Sequence, residues 1–273
     1  MIIFIQRQNM KNLLMFILMS IGLHAFAADY QTVLIVSVDA LHPAAVSSKN
    51  CPNIFRLAQD GYYTDKAVGT NPPKTLISHT SIMTGMTPEQ NGKKDNDWKE
   101  GMAAVKWNTL LTFAKSKGYQ TEYFYSKKKL GYLAKDADIA KFSGEDAVDS
   151  AVSMLDTSKK QFVFLHISGL DTEGPISGWL SPGYIDEFSF IDEQLGALFK
   201  KVQRAGSYLI IVTSDHAGHA KIHGSDDPED FKRPIVIYSS MGRIKTLPET
   251  ALKAEGFKPF VEELINNPSV GEK

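Results

Sequence analysis

Three apolar runs in this chain are each followed within a few residues by an aspartate, and that recurrence constrains the fold more than any other feature. Val33-Leu34-Ile35-Val36-Ser37-Val38 ends at Asp39. Gln161-Phe162-Val163-Phe164-Leu165-His166-Ile167 is followed by Asp171, and Tyr208-Leu209-Ile210-Ile211-Val212-Thr213 by Asp215. A near-continuous apolar run of this length reads as a strand covered on both faces, because a half-exposed strand would alternate polar and apolar residues. Ligands of such sheets gather beyond the carboxyl ends of the strands. One aspartate in that place is usually a cap or turn residue. Three of them, the last beside a histidine cluster, are harder to explain by turn chemistry.

Helices fit between these strands. Pro52 to Gly61 places Ile54, Leu57 and Ala58 inward with Gly61 as the stop. Thr75 to Met83 reads as a helix with Thr75 near its N-cap and Gly85 closing it. Trp107 to Lys117 is a helix ended by Gly118, and Tyr119 to Tyr125 a strand. Tyr184, Phe188, Ile191, Leu195, Leu198 and Val202 recur at helical spacing. Pro234 to Tyr238 reads as a last strand and Phe257 to Ile265 as a C-terminal helix. The alternation predicts an α/β fold with a mostly parallel central sheet and helices on both faces. Residues 93–160 are the only room for an insertion, and two core elements already come from them, so a small cap or none is expected.

The first 27 of the 273 residues read as a secretory signal peptide, with Lys11, the apolar Leu13 to Met19 and an Ala25-Phe26-Ala27 cleavage motif; Met1 and Met10 both offer a start. Residues 28–273 would then form one domain in the periplasm or outside the cell, with no membrane contact after cleavage. The single cysteine, Cys51, allows no internal disulfide. A net charge of −1 gives no signal for nucleic-acid polymers or anionic membranes.

His216, His219 and His223 lie within eight residues, directly after the Tyr208 run. An Asp-His pair at a strand end is a metal-presenting arrangement. Pro73-Lys74-Thr75-Leu76-Ile77-Ser78-His79 with Thr84-Gly85, Pro88-Glu89-Gln90-Asn91-Gly92, Asp171-Thr172-Glu173-Gly174-Pro175, Ser214-Asp215-His216 and His223-Gly224 follow Val38-Asp39 in order. Each piece alone is weak, but the ordered set resembles the alkaline phosphatase superfamily, and within it the type I phosphodiesterase / nucleotide pyrophosphatase family. Sulfatases of that superfamily carry a Cys-x-Pro-x-Arg type motif, which Cys51-Pro52-Asn53 and Arg56 do not match.

The resemblance implies a small-molecule phosphoester substrate and two zinc ions per chain around a nucleophilic hydroxyl, that of Thr75. Asp39, Asp215, His216 and Thr75 would form one metal site, and Asp171 and His223 would contribute to the other. Two such ions can clamp the attacking and leaving oxygens of an in-line displacement. Lys74, Ser78 and Asn96 are candidate phosphate contacts; Lys74 reads equally as a solvated loop charge and Asn96 as a turn residue. The family pattern places a histidine four residues after Asp171, where this chain has Pro175. Glu173 and His219 are the nearest side chains able to take its place. The expectation is a metal-dependent phosphohydrolase working through a phosphothreonine. The alternatives are a weakened relative that binds metal or phosphoester without efficient turnover, and an α/β domain with a structural ion at Asp215-His216. Trp98, Trp107, Tyr123, Tyr125 and Trp179 could stack a base, though core or surface packing explains most of them.

Overall fold

The computed structural model describes residues 29–268, so the expected signal peptide and its cleavage motif lie outside the described residues. Seven strands form one sheet: β1 (Thr32–Val38), β2 (Tyr62–Val68), β3 (Gln120–Tyr125), β4 (Ile139–Phe142), β5 (Gln161–Ile167), β6 (Tyr208–Thr213) and β7 (Lys232–Ser239). Their order across the sheet is β2-β7-β6-β1-β5-β3-β4. β1 pairs in parallel with both β5 and β6, and β3 with both β5 and β4. Only β7 runs against the rest, pairing antiparallel with β6 and β2. The three runs that end near aspartates are thus the three central strands. Every residue of β1 and β5 is buried, as a strand with helices on both faces must be.

The helices are α1 (Pro52–Asp60), α2 (Thr75–Thr84), α3 (Pro88–Asn91), α4 (Leu110–Ser116), α5 (Ala147–Met154), α6 (Gly169–Ser177), α7 (Pro182–Val202) and α8 (Ala254–Asn266). The period-2 alternation of the strands divides the core in two. Val33, Ile35, Phe162, Phe164, Leu209 and Ile211 face one way, toward α2, α4 and α8. Leu34, Val36, Val163, Leu165, Ile210 and Val212 face the other, toward α1, α5 and α7. Among the described residues, no helix is long and apolar enough to cross a membrane.

Five elements, β2, β4, α3, α5 and α6, are absent from the sequence reading. β2 and β4 border the sheet and are largely exposed, so neither carries the apolar run by which the central strands are recognised. Neither α5 nor α6 is among the predicted helices, and α6 contains Gly174 and Pro175, which lower helix propensity. At α2 the N-cap is Lys74, and Thr75 is the first helical residue. The segment 93–160 supplies α4, β3, β4 and α5, two of them strands of the one central sheet.

Glu122 on β3 is fully buried, with Oε1 accepting from the Gln161 amide and Oε2 unpartnered. Burial outweighs that hydrogen bond and pushes its pKa up from 4.5 to about 7. A carboxyl whose pKa rises on folding contributes stability that is complete below the unfolded value and lost as pH climbs through the folded one. Glu122→Gln keeps the acceptor and cannot ionise. Its melting temperature is expected to match the parent near pH 4 and to exceed it by several degrees at pH 8, as checked by thermal denaturation at both pH values.

Candidate metal centre

The carboxyl ends of β1, β5 and β6 lie side by side, since Ser37 is level with both His166 and Thr213. Asp39 continues β1, its N–H donating to Ile167 O at 2.8 Å. The next residue, Ala40, has a left-handed backbone at φ 64°, uncommon outside glycine. It is held there because its N–H donates to Asp215 Oδ1 at 3.3 Å and its carbonyl accepts from Tyr184 at 2.8 Å and from Trp179 Nε1 at 3.3 Å. Beneath Asp215, the buried Arg233 donates to Ser214 O at 2.6 Å and to Val68 O at 3.2 Å, which fixes the chain as it leaves β6.

Asp39, Asp215 and His216 offer ligand atoms that all lie within 4.8 Å of one another, and so do Asp171, His216 and His223. His216 belongs to both groups. Its Nε2 faces Asp39 Oδ1 at 3.3 Å, Asp215 Oδ2 at 3.5 Å and Asp171 Oδ1 at 3.7 Å. Its Nδ1 lies 2.9 Å from Ala217 O and donates to it, which leaves Nε2 as the nitrogen turned toward the three carboxylates. His223 stacks on His216 with ring centres 4.8 Å apart, and its Nε2 is 3.3 Å from Asp171 Oδ1.

Seven buried side-chain atoms among the described residues lack a hydrogen-bond partner. Four of them converge here: Asp39 Oδ1, Asp171 Oδ1, Asp215 Oδ2 and His216 Nε2. Leaving such atoms unpaired costs about 1–3 kcal/mol each, and more for charged groups. Carboxylate oxygens and an imidazole nitrogen turned toward one point are the donor set that zinc takes, and the residues therefore fit a metal.

Thr75 is 2% exposed and opens α2. Its hydroxyl lies 3.4 Å from Asp39 Oδ2, to which it donates, so the sequence-assigned nucleophile and first ligand group are brought together. Asn96 caps α2 from a distance: its Oδ1 accepts from the Leu76 N–H at 2.8 Å. One leading amide of the helix is thereby satisfied, and the Asn96 amide is placed beside Thr75. Lys74 lies along Gly224, in the loop that follows His223.

Ser78, Glu173 and His219 are not brought to the cluster. The Ser78 hydroxyl is buried against Thr70 at 2.7 Å. Glu173 accepts from Ser177 on its own helix and lines a cleft of about 260 Å³ with Glu145 and Glu187. His219 Nδ1 pairs with Asp230 Oδ1 at 2.8 Å, and the other Asp230 oxygen accepts from both the N–H and the hydroxyl of Ser225. That pair fastens the loop from Ala217 to Ser225 on which His223 rides. Pro175 is exposed, one turn beyond Asp171 on the same helix. The tryptophans are committed to packing: Trp179 is buried against Tyr184, and Trp98 and Trp107 donate to the carbonyls of Ala103 and Asn91.

Three residues at the centre escaped the sequence reading. Lys127 sits two residues past β3, and its Nζ reaches Asp39 Oδ2 at 2.6 Å, Thr75 Oγ1 at 3.1 Å and Asp171 Oδ2. The strand-end rule that selected the aspartates would have found it, had it been applied to basic residues. His166 Nε2 donates to Asp39 Oδ2 at 3.0 Å, because its Nδ1 accepts from the Ser126 N–H at 3.3 Å. His79, one helical turn after Thr75, places Nδ1 2.8 Å from Thr75 O and Nε2 2.9 Å from Ser37 Oγ. Both were concealed inside regular elements as ordinary core positions.

The electrostatics are mutual. Burial opposes the Lys127 ammonium, but Asp39, Asp171 and Asp215 outweigh it and raise its pKa. Burial likewise opposes ionised Asp39, yet Lys127, His166 and His216 hold it well below the usual carboxylate range. His79, fully buried, is held down to about 4 and is neutral at physiological pH.

A family model for type I phosphodiesterase / nucleotide pyrophosphatase matches residues 33–109 and 100–237. The ectonucleotide pyrophosphatase/phosphodiesterase family member 3 of Rattus norvegicus is 23% identical over 217 residues, covering 69% of this chain and 25% of the relative. The chain spans between a quarter and a third of the length of the curated relatives it matches. Among solved structures, the C-terminal periplasmic domain of EcEptC from Escherichia coli in complex with Zn has a TM-score of 0.65 at 12% identity, covering 90% of this chain and 88% of that one. A protein in the alkaline phosphatase superfamily from Vibrio parahaemolyticus has a TM-score of 0.59 at 19% identity, covering 88% and 67%. At these identities the structures share the fold.

Zinc competition against a chromophoric chelator separates the cluster from its surroundings. His216→Ala is expected to weaken binding by more than the roughly 10–100-fold typical of outer partners. Glu173→Gln, whose carboxylate is engaged by Ser177 away from the cluster, should stay close to the parent.

Proposed function

Because the chain belongs to the type I phosphodiesterase / nucleotide pyrophosphatase family, we propose that it is a metal-dependent hydrolase of phosphoester or phosphoanhydride bonds in small molecules, with Thr75 as nucleophile. The observation that carries the reading is the convergence of four unpartnered buried ligand atoms beside the Thr75 hydroxyl. Asp39, Asp215 and His216 would hold a zinc ion, with Thr75 completing the group, and Asp171 with His223 lies next to it. A metal held there would supply Lewis-acid stabilisation of the hydroxyl oxygen and of charge developing on the phosphoryl group.

The remaining work falls to the chain's own residues. Asp39 accepts the hydrogen bond of the Thr75 hydroxyl and orients it. Lys127 donates to the same oxygen, which favours its negative form as it attacks phosphorus. His79 ties the Thr75 carbonyl to β1 through Ser37, so the first turn of α2 stays in place. Attack of the Thr75 oxygen on phosphorus breaks the bond to the leaving group, which departs as an alcohol or phosphate with the proton that the hydroxyl gives up; water then cleaves the phosphothreonine, restoring the hydroxyl and releasing phosphate or its monoester. The start of α2 favours the bound anion through its dipole, and Asn96 and Lys74 are the polar groups beside it.

With two of the central sheet's strands drawn from residues 93–160, the chain would carry no large cap, and the site would gain little binding energy from the leaving group. This supports a range of phosphodiester, pyrophosphate and phosphomonoester substrates. Residues 1–27 would direct the remaining single domain out of the cytoplasm. A weakened relative that binds without efficient turnover is the second reading, and Pro175 is what favours it.

Purified, zinc-loaded protein is expected to hydrolyse at least one of p-nitrophenyl phosphate, bis-p-nitrophenyl phosphate and the p-nitrophenyl ester of thymidine monophosphate. Chelation should abolish turnover, and Thr75→Ala should lower kcat by at least about 10³-fold. Phosphoester binding without turnover, unchanged by Thr75→Ala, supports the second reading instead. Turnover insensitive to both chelation and Thr75→Ala excludes both.

A further inference from the structure

Three separate features bear on how many ions this centre takes. The first is that its two ligand groups share one atom. His216 Nε2 lies in both, and His216 Nδ1 is committed to Ala217 O. An imidazole nitrogen has a single lone pair and serves one ion at a time. If His216 serves the Asp39 and Asp215 side, the other group keeps only Asp171 and His223. Catalytic zinc sites use three protein ligands, and the position one turn beyond Asp171, on the same face of α6, is Pro175, which has no side-chain donor.

The second feature is a cation already in place. The Lys127 ammonium touches Asp39 Oδ2, Asp171 Oδ2 and Thr75 Oγ1 together, bridging the two carboxylates and the nucleophile. Its position is built in. Ser126 donates its N–H to His166 Nδ1 at 3.3 Å and its hydroxyl to His166 O at 2.8 Å, which binds the corner that carries Lys127 to β5.

The third is charge. Asp39, Asp171 and Asp215 bring three negative charges to the pocket, and one divalent ion with one ammonium neutralises them. Two divalent ions beside Lys127 would leave an excess of positive charge in a largely buried site, which is costly.

We propose that Lys127 takes the place of one of the two ions, so that the centre binds a single divalent ion through Asp39, Asp215 and His216. The inference rests on the metal-dependent reading above and concerns the composition of the same site. Lys127 then serves as the second positive group around Thr75, contacting the attacking oxygen from the Asp171 side.

The test counts metal. Tag-free protein is equilibrated with zinc, freed of excess by gel filtration, and measured by elemental analysis against protein concentration, with folding of each variant checked by circular dichroism. The parent is expected to carry one ion per chain. Pro175→His alone should still carry one, because Lys127 remains. Lys127→Met combined with Pro175→His should carry two. Two ions in the parent or in the single Pro175→His variant would overturn the Lys127 assignment and leave metal dependence standing. One ion in a folded double variant would also overturn it. No ion in the parent would overturn both readings.

Discussion

Three carboxylates share one pocket at the carboxyl ends of the central strands, and the rest of the site answers their mutual repulsion. Asp39 and Asp215 have no contact with solvent, and Asp171 has little. Water cannot stabilise them there, so the chain surrounds them with groups that donate or ligate: Lys127, His166 and His216. Even so, each carboxylate keeps one oxygen without a hydrogen bond. Such a set is expensive as a purely structural feature, since a buried unpaired charge destabilises by several kcal/mol. It becomes reasonable when a cation is the missing partner.

The sheet turns this local requirement into architecture. Parallel pairing of β1 with β5 and β6 brings their carboxyl ends to one level, so residues about 130 and 175 positions apart in sequence become neighbours. α2 is buried along its whole length and presents its first turn to the same point. Its seat depends on contacts from elsewhere in the chain, Asn96 at its leading amide and the Ser37–His79 hydrogen bond. The left-handed Ala40 completes the frame. Its backbone is strained, and the partners from Asp215, Tyr184 and Trp179 compensate.

The features legible in sequence were those whose signal is local. Fully buried strands announce themselves as apolar runs, and β1, β5 and β6 were visible for that reason, with Asp39, Asp215, His216 and Thr75 beside them. β2 and β4 were not, because an edge strand exposes much of its surface and its composition resembles a loop. The residues that matter through distant partners were equally hidden. Lys127 follows a strand in a run of three lysines that reads as a solvated surface, and only the fold shows it turned inward. His166 and His79 sit within a strand and a helix, where a histidine gives no sign of its role. His219, by contrast, lay in the most suggestive segment of the chain and proves to hold a loop together through Asp230.

Diffraction from zinc-soaked crystals, recorded on both sides of the zinc absorption edge, tests most directly whether this cluster is a metal centre. Anomalous density is expected between Asp39, Asp215 and His216, on the side facing the Thr75 hydroxyl. A fully ordered cluster without anomalous density at that point, with Lys127 alone among the carboxylates, would contradict the account.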